Sequence, residues 1–110
     1  MKQYVIDELQ SGDSEKIVEY VKHHFSATGL DQVYWVILPD DLLSDTQKAH
    51  RECRPFYVAV ELMDTSVKCE LLVRSKKRLG CDCICYADRQ QRNWVIDQMD
   101  LMIDDLGIQT

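Results

Sequence analysis

The spacing of apolar residues changes several times along this chain, and each change marks an element. "KQYVIDEL", residues 2–9, is short and rich in β-formers and reads as a first strand. "SGDS" then supplies a turn and a helix start. In "EKIVEYVKHHFSATG", Ile17, Val21 and Phe25 recur every four residues, the spacing of one helical face, and Gly29 offers a stop. "QVYWVILP" is apolar throughout, β-branched and aromatic, and reads as a buried strand closed by Pro39. Ser44 and Gln47 have the spacing of a capping box. The short helix they open is expected to reach about Glu52, because Pro55 disfavours helical geometry at Arg54.

The second half of the chain alternates with period two. Phe56, Val58, Val60 and Leu62 form one strand face, and Val67, Cys69, Leu71 and Val73 form another. Asp64, Thr65 and Ser66 suit the turn between them. "CDCICYA" follows the loop "KKRLG" and reads as a further strand. Asp88 and Gln91 repeat the cap spacing, and Val95, Met99, Met102, Ile103 and Leu106 stripe a last helix ended by Gly107. The order β-α-β-α-β-β-β-α predicts an α+β fold over residues 1–110 as a single domain. It would be a mostly antiparallel sheet of about four or five strands, with helices packed on one face.

Composition narrows the classes. Hydrophobic residues at 45% and charged residues at 29% exclude a disordered chain. A net charge of −6 repels phosphate backbones, so no nucleic-acid partner is expected. No apolar run approaches the ~20 residues of a membrane span, so no membrane partner is expected. "MKQYVIDELQ" lacks the apolar core of a signal peptide, which predicts a cytoplasmic location. There the five cysteines, an odd count, would stay reduced.

Those cysteines carry the most distinctive chemistry. On a regular strand Cys81, Cys83 and Cys85 share one face, with Asp82, Ile84 and Tyr86 on the other. The simplest expectation is that the thiols point into the core beside Val58, Val60, Leu71 and Val73, since reduced cysteine packs as a small apolar group. A metal reading is limited by geometry. Rising ~3.3 Å per residue, a strand separates Cys81 from Cys85 by roughly 13 Å. Two sulfurs on one zinc lie no more than about 4.6 Å apart. At most two of the three thiols can therefore meet one ion. "HREC" adds His50 and Cys53, three apart on the predicted helix. With Cys81 and Cys83 they make a Cys₃His set whose ligand types suit zinc.

Other surfaces compete for attention. The expected hairpin register pairs Leu62 with Cys69 and sets Glu61 opposite Glu70 on the outer face. Two close carboxylates can share a proton or hold a cation, which is the basis of an enzyme reading. Tyr57, Met63, Leu72, Ile84 and Tyr86 fall on the same face and make it amphipathic, suited to a second subunit or a client protein. Asp97, Asp100 and Asp104 line the outer side of the last helix, a second surface that a basic partner would suit. "RSKKR" is a solvated loop between strands. Neither a phosphate-binding glycine loop nor a nucleophile elbow is present in the sequence. The leading expectation is thus a small, non-enzymatic module that binds a protein partner or itself and carries no cofactor. The alternatives are a zinc-binding domain built on His50, Cys53, Cys81 and Cys83, and a small enzyme using Glu61 and Glu70.

Overall fold

Alternating apolar residues build the sheet, and a computed structural model shows how its strands pair over residues 1–109. The strands are β1 (Gln3–Ile6), β2 (Ser26–Ala27), β3 (Val33–Ile37), β4 (Phe56–Leu62), β5 (Val67–Glu70), β6 (Leu72–Ser75) and β7 (Cys85–Tyr86). Three helices accompany them: α1 (Asp13–His24), α2 (Asp45–Ala49) and α3 (Arg89–Asp105). The sheet runs β1-β5-β4-β3-β2, with β6 pairing the other end of β4 and β7 pairing β6. Every pairing is antiparallel. The α+β class follows, with seven strands where the sequence suggested about four or five.

One sheet face makes the core. Phe56, Val58, Val60 and Leu62 of β4 join Val36, Val67, Cys69 and Val73 from neighbouring strands. The helical stripes meet them there: Ile17 and Val21 from α1, and Val95, Met99, Met102 and Ile103 from α3. Burying a side chain of this size contributes about 1.5–3 kcal/mol, so this cluster dominates stability. At the end of α3, Gly107 takes φ of 66°, and the Ile108 N–H returns to the Ile103 carbonyl at 3.1 Å. That is a left-handed helix stop, the role glycine fills without Cβ strain.

Four local expectations are corrected. The first helix stops at His24, not at Gly29, because the chain turns into β2, where Ser26 and Ala27 pair with Trp35 and Tyr34. The second helix stops at Ala49. His50 leaves helical geometry (φ −96°, ψ 66°), and Arg51–Cys53 forms a single 3-10 turn. The predicted strand after Thr65 breaks into β5 and β6. Val60 faces Cys69, yet Tyr57 faces Arg74, so between these pairs β4 advances three residues and its partner five. The two extra residues form a bulge at Leu71, whose N–H bonds the Lys2 carbonyl at 3.0 Å while its own carbonyl accepts from Ala87 at 2.7 Å.

The fourth correction matters most. Of "CDCICYA", only Cys85–Tyr86 is strand. Cys81 to Ile84 is a tight turn, closed by the Ile84 N–H on the Cys81 carbonyl at 3.1 Å. The three thiols therefore do not share a core face. Cys83 is fully buried, Cys81 half-buried and Cys85 exposed.

Candidate metal centre

Two separate segments carry the candidate ligands, and each is shaped by a short-range rule. In the first, the Ser44–Gln47 capping box starts α2, and both reciprocal bonds are present. His50 caps the other end of α2, with its N–H on the Gln47 carbonyl at 3.1 Å. The following 3-10 turn brings the Cys53 N–H onto the His50 carbonyl at 3.0 Å. His50 and Cys53 thus bracket one turn instead of sitting on a continuous helix. In the second segment, the Cys81–Ile84 turn folds Cys81 and Cys83 back toward each other. A turn draws alternate side chains closer than an extended strand does, which brings this pair nearer than the strand reading allowed.

The fold then brings the two segments together. The ligand atoms of His50, Cys81 and Cys83 all lie within 4.8 Å of one another. Cys53 is fully buried and near enough for the Cys83 and Cys81 thiols to affect its ionisation, but it is not in the set within 4.8 Å. Burial pushes the Cys53 thiol up, and pushes the Cys83 thiol up to about 12, because a thiolate there would lack solvation. The neighbouring thiols add to the effect on Cys83. Burial thus favours the neutral thiols of Cys53 and Cys83.

His50 is left with incomplete bonding. Its Nδ1 is buried and has no hydrogen-bond partner, while Nε2 lies 3.8 Å from an Asp82 carboxylate oxygen. Buried ring nitrogens are normally satisfied, since leaving one unpaired costs about 1–3 kcal/mol. The other buried orphan among the described residues, Arg54 Nε, belongs to a guanidinium otherwise engaged. That group reaches Asp40 at 3.3 Å and the Lys48 carbonyl at 3.5 Å.

Supporting bonds hold the centre from behind. Gln47 is completely buried, and its amide donates to the Cys83 carbonyl at 3.2 Å. Its amide oxygen accepts from the Ser44 N–H at 3.0 Å and from Gln91 Nε2 at 2.9 Å. Gln91 also donates to the Leu42 carbonyl at 3.0 Å, and it is the third residue of the Asp88 cap that starts α3. The hydroxyl of buried Ser75 donates to the Cys53 carbonyl and accepts from the N–H groups of Lys77 and Arg78. Cap spacing marked Gln47 and Gln91 in the sequence, but nothing local showed that their amides also meet in the core. No sequence signal marked Ser75.

The other predicted residues are scattered. Glu61 faces Lys68, not Glu70. Glu70 faces Gln3 on β1 and pairs with Arg74 at 3.5 Å, so no facing carboxylate pair forms. The cause is the tight Met63–Ser66 turn, closed by the Met63 N–H on the Ser66 carbonyl at 2.8 Å, which sets Leu62 opposite Val67 instead of Cys69. Tyr57 is on the outer face but only 9% exposed, its ring 4.5 Å from that of Trp35. Leu72 faces Tyr86 across β6 and β7. Met63 lies in the turn beyond β4, and Ile84 lies in the cysteine turn, half-buried against the core. Asp97, Asp100 and Asp104 are exposed, and Asp100 accepts a 2.5 Å hydrogen bond from the Tyr4 hydroxyl.

Among the described residues, no helix is long and apolar enough to cross a membrane. No protein-family model, curated protein or solved structure matches this chain.

Proposed function

We propose that this chain is a zinc-binding domain in which His50, Cys53, Cys81 and Cys83 hold one ion in a structural site. The observation that carries the reading is that His50, whose Nδ1 is buried and unpartnered, is brought together with thiols contributed by a segment some thirty residues away. A tetrahedral ion at ~2.3 Å from sulfur and ~2.0–2.1 Å from nitrogen would sit among the ligand atoms of His50, Cys81 and Cys83, already within 4.8 Å of one another, and would draw in the Cys53 thiol as the fourth. It would satisfy Nδ1 and supply the positive charge that three buried or half-buried thiolates need. Thiolate-rich sets with one imidazole suit zinc over magnesium, calcium or manganese.

Four protein ligands leave no open position for substrate or water, so the role is structural, not catalytic. The ion would tie the 3-10 turn at Arg51–Cys53 to the Cys81–Ile84 turn, and with it the exposed loop 76–80. Among the described residues, the buried groups with incomplete bonding are at His50 and Arg54, not on the outer sheet face where carboxylates and a partner surface were expected.

Elemental analysis of protein purified without chelator tests the proposal. The expected result is close to one zinc per chain, lost in Cys83→Ser. Structural sites bind zinc with apparent energies of about 10–16 kcal/mol at neutral pH, too tight to empty on a column. Less than about a tenth of an equivalent of any transition metal would refute the proposal.

A further inference from the structure

The geometry points to Asp82 as the residue that orients the metal-binding histidine, so that His50 ligates through Nδ1 and donates its Nε2–H to the Asp82 carboxylate. This rests on the zinc reading and goes beyond it by assigning the ligating atom and the group that fixes it. Three observations carry it. Nδ1 is the ring nitrogen that is buried without a partner. Nε2, on the opposite side of the ring, is 3.8 Å from Asp82 Oδ1. Asp82 lies between Cys81 and Cys83 in the turn, so any ion bound there fixes its backbone as well.

The proton balance favours this arrangement once metal binds. In the structure Asp82 Oδ1 accepts from the Cys81 thiol at 3.5 Å. An incoming zinc ion displaces the protons of its thiol ligands to solvent, so Cys81 becomes a thiolate and has no proton to share. The acceptor at Asp82 is then free, and the nearest donor is the Nε2–H of His50. The shift from 3.8 Å to hydrogen-bond distance is about 1 Å, and with its side chain 85% exposed no packing holds Asp82 against it. A carboxylate at the distal nitrogen locks the tautomer and raises the basicity of the ligating nitrogen. Removing such a partner typically costs 10–100-fold in metal affinity.

Two readouts on the full chain test the assignment, using zinc as the probe. A long-range proton–nitrogen NMR spectrum of the zinc-loaded protein is expected to show His50 protonated at Nε2 and metal-bound at Nδ1. Chelator competition is expected to give a 10–100-fold weaker zinc affinity for Asp82→Ala, with partial recovery in Asp82→Asn, which keeps an acceptor oxygen. Because Asp82 is exposed, neither variant threatens folding. If the wild-type chain binds zinc but His50 is metal-bound at Nε2, or Asp82→Ala stays within about threefold of wild type, the role of Asp82 is overturned while the metal centre stands. If the wild-type chain takes up no zinc at all, both fall.

Discussion

Replacing Gln47 by alanine probes how the centre is held. The amide of Gln47 is fully buried and serves two segments. Its Nε2 satisfies the Cys83 carbonyl, and its Oε1 satisfies the Ser44 N–H and one donor of Gln91. Gln47→Ala strands the Cys83 carbonyl and the Ser44 N–H, while Gln91 keeps its bond to Leu42. Each buried polar group left unpaired costs about 1–3 kcal/mol. The void left by the side chain adds to this, so the expected loss is about 3–5 kcal/mol. For a chain of this size that is on the order of 10–20 °C in melting temperature. Urea unfolding of the zinc-loaded protein measures it, and zinc affinity is expected to fall in parallel because the Cys83 turn loses its support. Gln47→Glu separates the causes: it fills the same space but lacks the donor for Cys83, so it should recover little. A loss below about 1 kcal/mol for Gln47→Ala would mean that these bonds do not hold the centre.

Two further predictions concern the sheet. Glu61→Lys places a lysine opposite Lys68 and should destabilise by about 0.2–1 kcal/mol in urea; stabilisation would instead support the direct pairing of residue 61 with Glu70. Asp100 accepts the Tyr4 hydroxyl hydrogen bond and, with partial burial and the carboxylate charge, pushes the phenol up to about 12 from 10.0. A folded-state pKa above the unfolded one contributes stability below pH 10 that is lost as pH rises toward 12. Ultraviolet titration of wild type against Tyr4→Phe should show the extra phenol ionising near that upper value, and ionisation near 10 would contradict it.

Much of the fold was legible because period and capping are local signals. The helical stripes of α1 and α3, the alternation of β4 to β6 and both capping boxes could be read directly. The bulge at Leu71 was invisible because inserting two residues preserves the alternation on which register was judged. β2 carries only Ser26 and Ala27, too few for any period, and exists because Trp35 and Tyr34 offer an edge. The candidate ligands were legible only as residue types, since few combinations of cysteine and histidine remain once a straight strand is limited to two ligands. Their geometry was not. "CDCICY" alternates as a strand does, and only the Ile84–Cys81 bond shows that it turns. The amides of Gln47 and Gln91 meet across 44 positions of sequence, beyond the reach of any local pattern.

X-ray absorption at the zinc edge reads the ligand set of the bound ion itself. A four-coordinate ion is expected, with three sulfurs at ~2.3 Å and one imidazole nitrogen at ~2.0–2.1 Å, falling to two sulfurs in Cys53→Ser. A shell dominated by oxygen and nitrogen, or one that keeps three sulfurs in Cys53→Ser, would contradict it.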